Sequence, residues 1–207
     1  GLTAEQEDLM RQHQVPDWYI ESCKKIRYMF PKAHAAAYTI SSLRIAWFKI
    51  NHPEAYYCAY FTVRADEFDS SIMCLPLHQI RQSREKLRRD LREGTDRELR
   101  IYYILELVEE MGLRGIDFAP IDLHRSDATR FQILEPGLIL PPLNALPQVS
   151  AAIAGQIVRA RADSPFKTQD DLARRAGVGP SVIESLAAGG CLDGLPESSQ
   201  LNLFDLL

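Results

Sequence analysis

Two turns near the end of the chain have residues suited to binding a phosphate group. In the second turn, Gly177-Val178-Gly179 separates two helix-like segments; in the first, Gln148 and Ser150 flank Val149 at the corresponding positions. Backbone N–H groups at the start of a helix point outward together and bind anions without distinguishing bases. This spacing predicts two helix-hairpin-helix motifs in tandem, the first of them weaker because it lacks both glycines.

Basic residues close to these turns favour DNA as the source of the phosphates. Residues 146–192 contain Arg159, Arg161, Lys167, Arg174 and Arg175 against four acids, although the chain as a whole carries a net charge of −4. Contact with DNA would then depend on geometry and backbone groups more than on bulk charge. A plain helical hairpin without a ligand stays open as an alternative. The candidate DNA-binding residues are Val149, Ser150, Ala151, Lys167, Gly177, Val178 and Gly179.

A second candidate site lies on the Ala-rich segment after Pro31. At helical spacing, His34, Tyr38 and Ser41 share one stripe, and Lys32 and Arg44 flank it. Cations suit a triphosphate and an aromatic ring suits stacking on a base, so the predicted ligand is a nucleotide. The alternative is a buried helix whose histidine and tyrosine are hydrogen-bonded locally.

The third candidate is the closing peptide Gln200-Leu201-Asn202-Leu203-Phe204, which follows a Gly/Pro/Ser-containing stretch over 193–199. We expect that stretch to be a flexible, acidic linker. A short peptide can place two apolar anchors in a partner's pocket while a glutamine binds its rim. The peptide resembles the QxxLF sequence by which bacterial DNA polymerases and other replication proteins bind the sliding clamp. A terminal apolar turn that packs back on its own domain is the alternative.

The elements that would position these residues are mostly helices. Alternation at period two in 121–126 and 129–134, and the turn at 135–137, predict two or three short strands. Short helical segments should then fill 144–192. The earlier helices are predicted at 3–15, 17–30, 32–47, 53–64, 77–92 and 98–111, bounded by Pro16, Pro31, Pro53, Gly94 and Gly112.

Composition excludes several classes of protein. An apolar fraction of 46% in 207 residues supports a folded core, and no apolar run approaches the length of about 20 residues that spans a membrane. The four cysteines stand singly, which argues against disulfide frameworks and zinc sites. We therefore expect a cytoplasmic chain with reduced thiols. The absence of an initial Met suggests a piece of something longer.

The segment Phe30-Pro-Lys-Ala-His-Ala-Ala-Ala-Tyr38, with 22–29 before it and Ile45-Ala-Trp-Phe-Lys49 after it, resembles the fingers domain of PolC-type DNA polymerase III alpha subunits. These are replicative enzymes of low-GC Gram-positive bacteria. The resemblance continues through 60–65, the tandem hairpins and the tail. It therefore covers essentially the whole chain.

The resemblance implies a C-terminal fragment that is mainly α with a small β section. Its parts would be a helical fingers remainder (1–75), connecting helices (76–119), a duplex-binding domain with short strands and tandem helix-hairpin-helix motifs (120–192), and a flexible clamp-binding tail (193–207). Lys32, His34, Tyr38 and Arg44 would contact the incoming nucleotide. Gln200, Leu201, Leu203 and Phe204 would bind the clamp.

The resemblance also implies an activity in the parent protein, DNA-directed DNA polymerisation in the replisome. In the family, palm aspartates hold two metal ions, expected to be Mg²⁺, so this fragment should have no catalytic residue or cofactor and no activity alone. The expected partners are primer–template duplex, incoming dNTP, the sliding clamp (beta subunit) and other replisome subunits. Two alternatives are a stand-alone helix-hairpin-helix module that docks on the clamp, and a structural helical adaptor without DNA affinity.

Overall fold

The structure, a computed structural model, describes residues 2–25, 31–90 and 94–198. Helices dominate these ranges, as the sequence predicted, and none of the helices described is long and apolar enough to cross a membrane. The elements are α1 Ala4–Gln12, α2 Asp17–Lys25, α3 Lys32–Asn51, α4 Pro53–Val63, α5 Ser70–Met73, α6 Leu77–Asp90, α7 Asp96–Leu113, β1 Asp117–Phe118, β2 Gln132–Glu135, β3 Leu138–Leu140, α8 Ala151–Asp163, α9 Gln169–Ala176 and α10 Pro180–Ala188, with 3-10 turns at Ala65–Glu67 and Leu143–Ala145.

Residues 1–47 form one compact unit. Helix α1 begins with a capping box, in which the Thr3 side chain accepts from the Gln6 N–H and the Gln6 side chain accepts from the Thr3 N–H. This arrangement satisfies two N–H groups that a helix start otherwise leaves unpaired. Glu7 of α1 pairs with Lys24 of α2 at 2.9 Å, and Ile20 of α2 is fully buried. Local sequence signals therefore suffice to build this pair of helices.

Residues 48–207 form the second compact unit. The boundary at 47/48 separates two compact parts of the structure. The boundaries predicted at 75, 119 and 192 separate parts that were expected to have different roles in a larger enzyme. Those boundaries stay a prediction.

Helix α7 continues beyond the glycine that was expected to end it. Gly112 lies inside the helix, where an added Cβ would come 3.2 Å from a methyl group of Leu77. The glycine thus permits close packing of α6 on α7. The helix ends at Arg114, and Gly115 then takes a φ of +75°, which glycine adopts without strain.

The small sheet has the order β1-β3-β2, with β1 parallel and β2 antiparallel to β3. One predicted strand is wrong, because 121–126 forms a turn. The Asp122 carboxylate accepts from the backbone N–H groups of His124 and Arg125 at 2.7 and 3.1 Å, which bends the chain. The alternation that suggested a strand arises because Ile121, Leu123 and Ser126 are buried on one side of this turn.

An aromatic cluster joins the helices of the second unit to its sheet. Phe61 of α4, Phe118 of β1, and Phe68 and Phe131 in loops have ring centroids 4.9 to 6.0 Å apart. Such contacts add to the free energy gained by burying the rings. The same core continues into α8, α9 and α10, so the hairpins rest on a packed base.

Candidate nucleic-acid interface

The second hairpin has the backbone path that its sequence predicts. Helix α9 ends at Gly177, which takes a left-handed φ of +66°, and its N–H donates to the carbonyl of Ala173. Val178 turns inward and is 8% exposed. Gly179 is then the extended N-cap residue of α10, with Pro180 at the first helical position. The turn therefore reverses the chain and presents the N-terminus of α10 at the surface.

The first hairpin follows the same path with different residues. Gln148 takes a φ of +64°, Val149 is 3% exposed, and Ser150 is the extended N-cap residue of α8. The segment before the turn is the 3-10 turn Leu143–Ala145 instead of a helix. The positions that the sequence aligned with the two glycines are thus equivalent in backbone conformation.

The two turns leave outward N–H groups for a ligand. Within the described part of the chain, the N–H groups of Ala151 and Ala152 in the first hairpin, and of Gly179 and Ser181 in the second, donate to no protein acceptor. The Ser150 hydroxyl accepts a hydrogen bond from the N–H of Ile153. Both helix starts therefore keep donors and the positive end of the helix dipole available to an anion.

Neither backbone strain nor crowding requires glycine at position 179. Its φ of −86° suits any L-residue, and an added Cβ would meet no atom within 4 Å. Gly177, by contrast, needs its left-handed φ. Glycine is favoured over alanine at an N-cap, and at Gly179 it also allows close approach of an external backbone.

The first hairpin is packed directly on the second. The Ser185 hydroxyl of α10 donates to the carbonyl of Pro147, and a Cβ added at Gly189 would lie 2.6 Å from a methyl group of Leu146. Leu146 is itself buried. These contacts fix the spacing between the two turns.

Two of the five nearby arginines and lysines hold the fold together. The Arg161 guanidinium donates to the carbonyls of Leu123 and Ser126, both at 2.6 Å, and burial lowers its pKa. Arg175 donates to three carbonyls around the α8–α9 connection and stacks on Phe166 at 4.8 Å. Their side chains are therefore occupied by internal acceptors.

The side chains of the other three basic residues are exposed. Arg159 and Lys167 are exposed, and Arg174 is exposed while it pairs with Asp171 at 2.9 Å. Lys167 precedes α9, and the eight residues of that helix separate it from Gly177 by about 12 Å. The structure thus brings Val149, Ser150, Ala151, Gly177, Val178 and Gly179 to the two turns and leaves Lys167 at the other end of α9.

Sequence reasoning missed a pocket of about 600 Å³ beside the first hairpin. Arg97 and Arg100 of α7 line it together with Asn144, Ser150 and Ala151. The sequence did hold one signal, since both arginines lie early in α7, where the helix dipole favours acids over bases. Cations at such a position are better explained by an external anion than by the helix itself.

The predicted nucleotide-binding residues all lie exposed on α3. His34 and Tyr38 come together, with ring centroids 4.6 Å apart, and Tyr38 is 66% exposed. Lys32 and Arg44 are twelve positions apart, which is about 18 Å along the helix axis. The four residues therefore form a strip and do not converge on one point. The alternative interpretation, a buried Ala-rich helix, is wrong for α3, because the structure describes no buried residue in it.

The predicted clamp-binding residues Gln200, Leu201, Leu203 and Phe204 lie outside the described residues. Part of the stretch before them, expected to be a flexible linker, is bonded to α9. The carbonyls of Pro196 and Glu197 accept from the N–H groups of Gln169 and Asp170 at 2.9 and 3.1 Å. These N–H groups open α9 and have no partner within it, so the linker carbonyls satisfy them.

Comparison with known proteins identifies the same motif. Residues 115–201 match the family described as helix-hairpin-helix motif, which confirms that part of the predicted fold. Over 204 residues, 99% of this chain, the "DNA polymerase III PolC-type" proteins of Clostridium perfringens, Halalkalibacterium halodurans and Bacillus subtilis are 48%, 47% and 45% identical to it.

The chain spans about a seventh of the length of these relatives, 14% in each case. Identity of this level across nearly every residue, together with the two hairpins, bears out the resemblance found in the sequence. Over that shared segment, the chain is similar to PolC-type DNA polymerase III.

Proposed function

We propose that this chain is the part of a replicative DNA polymerase that binds the newly made duplex through two helix-hairpin-helix turns. The observation that carries the proposal is the repeated backbone path at 148–150 and 177–179, each leading into a helix whose first N–H groups face outward. Two such turns at a fixed spacing bind two phosphates of a DNA backbone without reading bases. Base-independent binding suits an enzyme that must copy any sequence.

Titration of a primer–template duplex tests this function. We expect binding that weakens as salt rises from about 50 to 200 mM, with log K falling by about 0.9 per tenfold rise in salt for each phosphate contact. Two duplexes of unrelated sequence should bind equally. Absence of salt-dependent binding would overturn the proposal and favour a structural adaptor.

The strip on α3 is proposed to contact the incoming nucleotide, with Lys32 and Arg44 binding phosphates and Tyr38 stacking near the base. Its exposure and the paired rings of His34 and Tyr38 support this role. In a full-length PolC-type polymerase that carries this segment, Tyr38→Ala should raise the KM for dNTP roughly tenfold if stacking is worth about 1–3 kcal/mol. A matched Thr39→Ala change, one position around the helix, should leave KM unchanged.

Residues 200–204 are proposed to bind the sliding clamp, which would hold the duplex-binding domain near DNA by raising its effective concentration. The proposal depends on the sequence of the peptide and on the acidic residues around it, which disfavour DNA as its ligand. Replacing Leu203 and Phe204 by Ala should abolish binding of the chain to a purified clamp. Asn202→Ala is the control, because position 202 is not an anchor in the QxxLF pattern.

Polymerisation itself is proposed to reside in other parts of the parent protein, and this chain alone should extend no primer. Among the described residues, no group of three or more His, Cys, Asp or Glu side chains is placed to hold a metal ion. These residues therefore do not provide a site that fits the magnesium ions expected of the polymerase. Primer extension by the isolated chain would contradict this division of labour.

A further inference from the structure

We propose that Arg97 and Arg100 of α7, Asn144 and the N-terminus of α8 form one composite site for a DNA phosphate, so that the first hairpin binds through side-chain charge as well as backbone N–H groups. This inference rests on the proposed duplex binding and names the residues that accomplish it at the first turn. It places one DNA contact on a helix that lies outside the helix-hairpin-helix match at 115–201.

The site is a formed pocket of about 600 Å³. Its walls come from the first hairpin turn on one side and from the start of α7 on the other, with the 3-10 turn Ala65–Glu67 packed against Leu143–Ala145 beneath them. The lining includes Gln148 together with Val149, Ser150 and Ala151, the three residues of this turn that the sequence assigned to DNA binding. An anion at the start of α8 would therefore also face α7.

The charges in this pocket leave one cation without a counter-charge. Arg97 is exposed, and no carboxylate of the described residues forms an ion pair with it. Arg100 pairs with Glu67 at 3.2 Å, and Glu67 also pairs with Arg64 at 3.3 Å. The other acid of the lining, Asp69, accepts from the backbone and hydroxyl of Ser71. Arg97 is thus the group best placed to meet a phosphate.

Asn144 supplies an independent sign that a ligand is missing. It is 8% exposed, lines the same pocket, and its Oδ1 is buried without a hydrogen-bond partner. A buried polar atom without a partner costs about 1–3 kcal/mol, which proteins normally avoid. Rotation of the amide by 180° exchanges its oxygen for an NH₂ group that can donate to a phosphate oxygen. With the amide in that orientation, Asn144 would add a donor beside Arg97.

The site explains how a hairpin without glycines retains a ligand. Gln148 and Ser150 carry side chains where the second hairpin has none, so a DNA backbone cannot approach the first turn as closely. Charge acts over a longer distance than a backbone hydrogen bond. Arginine therefore compensates for the approach that the missing glycines would have allowed.

The test is the salt dependence of duplex binding by the whole chain and its variants. Arg97→Ala should lower affinity roughly tenfold and reduce the slope of log K against log salt by about 1, as expected for one lost phosphate contact. Arg89→Ala is the matched control, since Arg89 is a highly exposed arginine on α6 that does not line the pocket. An equal loss in both variants would overturn the proposal in favour of general charge attraction.

A variant of opposite sign separates electrostatics from structural damage. Glu67→Gln removes a negative charge from the pocket and releases Arg100, so affinity should rise a few-fold; a fall would overturn the proposal. Failure of the unmodified chain to bind duplex would instead overturn the proposed function. Normal binding with an unchanged slope in Arg97→Ala would overturn only this site.

Discussion

The two hairpins follow one backbone path but meet its demands with different residues. In the second hairpin, glycine occupies both the left-handed position and the N-cap, and the turn is open to close contact. In the first hairpin, Gln148 adopts the left-handed conformation and Ser150 caps its own helix. The second turn is therefore suited to close contact between its backbone and a ligand. The first turn allows a less close approach but offers side chains for binding.

The hairpins also share a structural device, an arginine that binds carbonyls of a connecting loop. Arg161 of α8 fastens the turn at 121–126, and Arg175 of α9 fastens the connection between α8 and α9. A guanidinium has five donors in a fixed geometry, so it can satisfy several carbonyls at once. Counting every arginine and lysine near the hairpins as a DNA contact therefore overstates the positive charge that faces DNA.

The largest expected effect follows from removing one of these arginines. Arg161→Ala leaves the carbonyls of Leu123 and Ser126 without their donors and should lower the free energy of unfolding by about 3 kcal/mol. Chemical denaturation measures the change. Arg159→Ala, an exposed arginine two positions away on the same helix, should change stability by less than about 0.5 kcal/mol. Equal losses would show that Arg161 has no special structural role.

A reciprocal pair of substitutions tests the equivalence of the two left-handed positions. Gly177→Ala should destabilise the chain by about 1.5 kcal/mol, because a Cβ is strained at a φ of +66°. Gln148→Gly should stabilise it by about 0.5 kcal/mol, since relief of strain exceeds the added flexibility of the unfolded chain. Thermal unfolding of both variants checks the signs, and a destabilised Gln148→Gly would mean that the turns are not equivalent.

Much of this comparison could be predicted from sequence because turns and helix starts are local. Pro16 and Pro53 marked the starts of α2 and α4, and the spacing around Val149 and Val178 gave both hairpins. Direction of a side chain was not predictable in the same way. Arg161 was expected to face DNA, yet its acceptors come from more than thirty positions earlier in the chain.

The pocket beside the first hairpin shows the same limit. Arg97 and Ala151 are far apart in sequence and meet only because the aromatic core packs α4, the loops and the sheet together. Period-two alternation at 121–126 misled for a related reason, since a turn held by Asp122 also buries Ile121 and Leu123, the residues that flank Asp122. A sequence pattern predicts which residues are buried more reliably than it predicts the backbone conformation that buries them.

Gly179→Ala tests whether the second turn depends on backbone approach. Its φ is ordinary and no atom lies within 4 Å of an added Cβ, so the loss of stability should come from the poorer N-cap and amount to about 0.5–1 kcal/mol. Duplex affinity should fall several-fold, since the methyl group would separate the N–H groups from a phosphate. Ser150→Gly in the first turn is the counterpart, and it should improve approach there while it removes the cap on α8. Unchanged affinity in Gly179→Ala would argue against phosphate binding at this turn.

The smallest expected effect concerns pH and the start of α9. The N–H of Lys167 donates to the Asp171 carboxylate, and Arg174 and Arg175 pair with it, so the pKa of Asp171 lies below its usual value near 3.8. A lowered pKa in the folded state contributes stability above the unfolded pKa, and that stability is lost as pH falls through the folded value. Asp171→Asn should therefore lower the melting temperature at pH near 7 and make progressively less difference as pH falls below about 4.

Asp170→Asn provides the control for that measurement, because it removes an equal charge from the same first turn of α9. Both changes weaken the favourable interaction of an acid with the helix dipole, so any difference between them reports the contacts made by Asp171 alone. The first hairpin has no counterpart to this acid, because its turn is preceded by the 3-10 turn Leu143–Ala145 instead of a helix. If Asp171→Asn leaves the pH dependence of stability unchanged, the acid sensitivity of the chain arises elsewhere. The second hairpin would then be stabilised by its glycine turn and by Arg175, without a contribution from the start of α9.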